Sequence, residues 1–163
     1  CSAGCVPNLK GGTEDVGERE ITVVGLVIAT HGRLAAELIS TAEQIVGKLP
    51  AIAHCMVEVG ASPDDIREQV RNAVSSVDDG DGVLVLADIF GGTPCNQSLM
   101  LSQTHSLEVL TGVNLPMVLK ASSLRQEKMP LADLATALAQ YAQKNITCAS
   151  AMVRDASGVR NAH

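Results

Sequence analysis

The chain has 163 residues, 46% of them hydrophobic but only 1% aromatic, and a formal net charge of −6. That length suits one domain whose core must be built from Val, Leu, Ile, Ala and Met. The acidic balance and the lack of stacking rings, Phe90 and Tyr141 being the only aromatics, exclude nucleic acid as a partner.

Residues 1–20 mix glycine, proline and charge without apolar periodicity, which predicts a flexible N-terminal tail. Ile21 to Ala29 is nearly all apolar and β-branched, the pattern of a strand covered on both faces. Between Arg33 and Val46, the residues Leu34, Leu38, Ile39, Ala42 and Ile45 recur at helical spacing, and Gly47 closes that helix. Ile52 to Val59 reads as a second strand. Ser62-Pro63-Asp64-Asp65 then opens a capped helix reaching about Val77. After a turn at Asp78–Gly82, the apolar run Val83 to Ala87 is a third strand that stops at Asp88. Ile89-Phe90-Gly91-Gly92 reads as a tight loop, with Thr93 as N-cap of the next helix and Pro94 in its first position. Leu107 to Gly112 is a fourth strand. Asn114-Leu115-Pro116 breaks the chain before a short helix near Met117–Leu124, and a longer helix spans Leu131–Lys144. Ile146 to Val153 is predicted as a strand, and residues 154–163 as a second tail.

Strands alternating with helices predict an α/β protein: a three-layer sandwich around a mainly parallel four-stranded sheet. The domain spans residues 21–153, with Ile146–Val153 as a C-terminal edge strand, antiparallel or donated to a partner subunit. No apolar run approaches the ~20 residues of a membrane span. Five cysteines, at 1, 5, 55, 95 and 148, show no repeated spacing, which fits a reduced, cytoplasmic protein. The sequence starts with Cys rather than Met. Acylation of Cys1, as in a mature lipoprotein, is the lesser alternative there.

Chemistry concentrates where strands end. His31 follows the first strand, and Asp88 ends the third on the same rim. A nucleophilic histidine needs one ring nitrogen free and the other held as N–H by an acceptor, a role Asp88 fits. Gly91, Gly92 and the hydroxyl and N–H of Thr93 are placed to hold phosphoryl oxygens beside a helix N-terminus. Each residue also has a blander explanation, a loop hydrogen bond for His31 and a turn for Asp88. Their joint presence beside an anion-binding loop favours function. His54 reads as a partly buried sheet residue, His105 as a solvated loop residue and Cys95 as a small packing residue. The scattered histidines show no metal-ligand spacing. Phe90 fits core and partner contact about equally, and an apolar rim of Leu34, Ile89 and Phe90 is a candidate contact surface.

Three ordered motifs carry a family resemblance: Gly25-Leu26-Val27-Ile28-Ala29-Thr30-His31-Gly32, then Val85-Leu86-Ala87-Asp88-Ile89-Phe90-Gly91-Gly92-Thr93-Pro94-Cys95-Asn96, then Gly112-Val113-Asn114-Leu115-Pro116-Met117. With them the chain resembles the IIA component of the mannose family of the sugar phosphotransferase system (PTS). The resemblance implies a phosphotransferase in which His31 takes a phosphoryl group on Nε2 from the histidine phosphocarrier protein HPr. Asp88 would match the aspartate paired with the histidine, and Thr93 the hydroxyl residue of the phosphate loop. The phosphoryl group would pass to a separate IIB component and on to sugar entering through a membrane permease. No cofactor or metal is implied, because the donor is already activated. The family also implies a homodimer with a crossing terminal strand. This chain carries Arg33 and Phe90 where some members have tryptophan. A regulatory phosphohistidine module of the same fold is the second reading, and the phosphocarrier subunit of dihydroxyacetone kinase a third.

Overall fold

Two runs set the architecture, because a strand without a polar face must be covered from both sides. In a computed structural model, which describes residues 23–58 and 60–156, these are β1 (Gly25–His31), buried up to its last residue, and β3 (Val83–Ala87), buried throughout. Around them come β2 (Ile52–Val57) and β4 (Leu107–Thr111), all parallel, in the order β2-β1-β3-β4. Helices α1 (Leu34–Val46), α4 (Leu115–Leu124) and α5 (Leu131–Lys144) cover one face, while α2 (Pro63–Ser75) and α3 (Thr93–Leu101) cover the other.

Side chains alternate between two cores. Leu26, Ile28, Leu84 and Leu86 pack with Ala35, Ala42, Val118, Ala121, Leu134 and Leu138. Val27, Ala29, Val83 and Val85 pack instead with Ile66, Val70, Val74 and Leu101. Each fully buried Leu or Ile contributes roughly 2 kcal/mol, so the sheet interior is the stable part of the molecule. From β1 the chain moves outward to β2, then crosses back over the opposite face to β3. That reversal makes the carboxyl ends of β1 and β3 a topological switch point, where α/β sheets form their ligand crevice.

Local chemistry explains most element ends. Ser62 caps α2 by accepting the Asp65 N–H at 3.1 Å, and Gly47, at φ 84°, ends α1 with its N–H on the Glu43 carbonyl. The second strand stops at Val57, two residues short of the expected end, and β1 continues through His31 rather than closing at Ala29.

The C-terminal segment differs from expectation. Ile146–Val153 forms no strand; α6 (Ala149–Ala156) takes up most of it, so among the described residues the sheet has no antiparallel edge strand. Ala149, Ala151 and Met152 favour helix, while Ile146 and Met152 stay exposed and no sheet edge gathers them in. Arg154 belongs to α6 rather than to a tail. The N-terminal tail and the remainder of the C-terminal one lie outside the described residues.

At the sheet edge opposite the carboxyl ends sits a group the sequence did not flag. Arg125, only 4% exposed, donates from Nη1 to the Val24 and Ala51 carbonyls at 2.8 and 3.0 Å and from Nη2 to Pro50 at 3.0 Å. Its Nε lacks a partner among the described residues, and burial pulls its pKa down to about 10. The guanidinium thus ties the end of α4 to the entrances of β1 and β2. Arg125→Met removes these bonds at constant apolar bulk. It is expected to cost ~3 kcal/mol, lowering Tm by about 10 °C in a thermal melt.

Candidate active site

Parallel pairing of Ala29 with Ala87 brings the residues that follow them side by side. Asp88 Oδ2 accepts the main-chain N–H of His31 at 2.8 Å and lies 2.9 Å from the His31 ring Nδ1. Its Oδ1 accepts the N–H of Ile89 at 2.8 Å. An ionised carboxylate only accepts, so Nδ1 carries the proton and the lone pair of Nε2 stays open. The imidazole side chain is 46% exposed and the carboxylate 12%, so the ring meets solvent while its orienting group is sheltered. Burial acts to raise the Asp88 pKa. The N–H of His31, its ring and the N–H of Ile89 together outweigh that, holding the carboxyl below its ordinary 3.8.

The loop between β3 and α3 runs against this ring. Gly91 has φ 78°, a conformation that favours glycine, and Gly92 lies so near that a Cβ there would sit 3.0 Å from His31 Cε1 and 3.7 Å from Nε2. Gly92, not Thr93, is the N-cap of α3; with ψ near 160° it takes the extended cap conformation, which puts Thr93 first and Pro94 second in the helix. The N–H groups of Gly91 and Thr93 have no acceptor among the described residues. They lie next to the helix N-terminus, whose dipole favours an anion. An open ring nitrogen, the carboxylate that orients it and the loop before the α3 N-terminus therefore meet at one rim.

The other expectations divide. Phe90 is 78% exposed, which removes it from the core, and Ile89 and Leu34 are exposed on the same rim. Cys95, buried, is a packing residue. His54 is exposed on the edge strand β2 instead of partly buried, because among the described residues no further strand covers that side. His105 is half-buried, its Nδ1 2.9 Å from the Thr104 hydroxyl. Asn114 caps α4 by accepting the Met117 N–H at 3.0 Å. The motif preceding it does more than cap: the N–H of Gly112 donates to the Asp88 carbonyl and that of Val113 to Ala87, at 3.1 and 3.0 Å. The β4–α4 turn thereby fixes the backbone under the carboxylate. Thr30, fully buried, accepts the Ala35 N–H at 2.8 Å and sets α1 against the end of β1. Neither role had a local signal beyond a polar residue at a strand end.

The structure thus sets a histidine–carboxylate pair at the switch point of a parallel α/β sheet, and comparison narrows what such a protein is. Residues 25–153 match the family model described as PTS system fructose IIA component. The chain is 31% identical over 118 residues to the PTS system mannose-specific EIIAB component of Escherichia coli (strain K12), covering 71% of this chain but only 36% of that protein. It is 28% identical over 129 residues to the PTS system fructose-specific EIIA component of Bacillus subtilis (strain 168), covering 78% of this chain and 88% of that one. The crystal structure of phosphotransferase system component EIIA from Streptococcus agalactiae superposes with a TM-score of 0.73 at 28% identity, covering 79% and 99% of the two chains. The chain belongs to the mannose/fructose IIA family of the PTS, a family of phosphotransferases. Among the described residues, no helix is long and apolar enough to cross a membrane.

Proposed function

We propose that the chain is a phosphoryl carrier that accepts phosphate from HPr on His31 and delivers it to a IIB component, for sugar entering through a membrane permease. One observation carries this reading: the Nδ1–Asp88 bond of 2.9 Å leaves Nε2 exposed beside Gly92. In the step itself, the Nε2 lone pair attacks phosphorus, the N–P bond to the donor ring breaks, and those electrons return to the donor histidine. Nδ1 keeps its proton, and Asp88 stabilises the positive charge that develops on the ring. The N–H groups of Gly91 and Thr93 and the Thr93 hydroxyl bind the phosphoryl oxygens, and Gly92 leaves room for them. The chemistry is mostly positioning, because the donor phosphoramidate is already energetic. HPr as donor places the chain in the cytoplasm. The exposed Ile146 and Met152 of the C-terminal segment support a homodimer.

The test is incubation with phosphorylated HPr followed by intact-protein mass spectrometry. An acid-labile phosphoryl increment that moves on to an added IIB component is expected. No increment would end the reading, and an increment that stays on the chain would favour phosphohistidine signalling over transport. Gly92→Ala probes the same geometry. Its backbone, at φ −67°, admits alanine without strain, so only a loss near 1 kcal/mol at the helix cap is expected. The added methyl would push the ring aside. Phosphoryl uptake, read by the same mass increment against time, should fall by roughly 10²-fold while the melt moves only slightly.

A further inference from the structure

Asn96, in the first turn of α3, reaches back over the glycine loop. Its Nδ2 donates to the Gly91 carbonyl at 2.9 Å, and its main-chain N–H donates to the Gly92 carbonyl, also at 2.9 Å. Both glycine carbonyls are thus drawn to the helix side. Across a trans peptide the N–H points opposite to the carbonyl, so holding the Gly92 oxygen aims the Thr93 N–H out of the helix end. The side-chain bond is the one a substitution can remove. Without it, the peptide joining Gly91 to Gly92 has a glycine on either side and no Cβ to resist rotation. Its partner on the other flank, Ile89, accepts the Gly92 N–H only at 3.3 Å, a long bond.

We propose that Asn96 is a positioning residue of the phosphoryl site: through Gly91 it holds Gly92 and the Thr93 N–H in place against the reacting edge of His31. A released Gly91 oxygen is free to turn toward the phosphoryl group and repel it. A displaced Gly92, now 3.0 Å in Cβ terms from Cε1, would shift the floor under the ring. This inference rests on the phosphoryl-carrier reading. It adds a residue that touches neither the ring nor the phosphoryl group.

The experiment compares wild type with Asn96→Asp, Asn96→Ala and Asn96→Gln in transfer from phosphorylated HPr. It follows rate against HPr concentration, hydrolysis of the isolated phosphohistidine, and thermal melts. Asn96→Asp keeps the shape but sets a carboxylate oxygen against the Gly91 carbonyl. It should lower kcat about tenfold or more with KM unchanged, and shorten the phosphohistidine lifetime. Asn96→Ala should move in the same direction by less, and Asn96→Gln, which restores the N–H donor, should recover part of the rate. Melts should stay near wild type, since Asn96 is exposed and an acid suits a helix N-terminus. Wild-type kcat and phosphohistidine lifetime in both Asp and Ala variants would overturn the inference while leaving the carrier reading intact. A rise in KM alone would also overturn it, by making Asn96 a docking residue. A wild type that takes no phosphoryl group would remove the reading and the inference together.

Discussion

His31→Ala is expected to abolish phosphoryl uptake from HPr, whereas His54→Ala should be labelled like wild type. The contrast follows from placement. Both rings are solvent-accessible, yet of the two only His31 has an acceptor on Nδ1 among the described residues and the glycine loop beside Nε2. His54 lies along the flank of an edge strand, where no described residue hydrogen-bonds its ring. Loss of the nucleophile cannot be compensated by binding, so the effect should be complete rather than graded. The fold should tolerate the change, because the ring is half-exposed and buries little apolar area. Intact mass and a melt measured on the same sample separate lost chemistry from lost structure. Equal labelling of His31→Ala and wild type would refute the assignment.

Asp88→Asn should slow transfer on the order of 10²- to 10³-fold without removing the accepting nitrogen. The carboxylate uses both oxygens as acceptors, Oδ2 for the two His31 groups and Oδ1 for the Ile89 N–H. An amide offers one acceptor. If its NH2 turns to His31, the ring must present a bare Nδ1, the proton moves to Nε2, and the nucleophilic lone pair is gone. If it turns to Ile89, two donors face each other. Either way the developing ring charge loses its counterion. Stability should report the same group. The folded-state pKa of Asp88 is depressed, so its contribution is fully present above the unfolded value of 3.8 and is lost as pH falls through the lower folded value. Chemical denaturation of wild type between neutral pH and pH 3 should show that loss, and Asp88→Asn should lack it.

Much of this was legible in the chain because local signals agreed. Val83–Ala87 and Leu131–Lys144 coincide with the expected strand and helix; the first is an unbroken apolar run held between the turn ending at Gly82 and Asp88. Asp88 and His31, separated by 57 positions, were paired from the rule that parallel strands expose their carboxyl ends together. Where signals conflicted, the reading failed. Ile146–Val153 is apolar enough for an edge strand, but so short a run does not distinguish strand from helix, and its alanines decided for helix. Thr93 looked like the cap because hydroxyl residues usually are. Gly92 serves instead, since the loop needs a residue without Cβ beside the imidazole. Arg125 was out of reach: its partner Val24 lies 101 positions away, and a lone arginine before a polar stretch looks like any surface cation.

The reversal of strand order at β1, outward to β2 and then back across to β3, also has a bearing on traffic. It delivers one open nitrogen to one lip, with the exposed Leu34, Ile89 and Phe90 as its surroundings. On the phosphoryl-carrier reading, donor and recipient would use the same berth in turn, each leaving before the other arrives. One shared landing place would suit a messenger that is loaded and unloaded, and on that reading it forbids a ternary assembly.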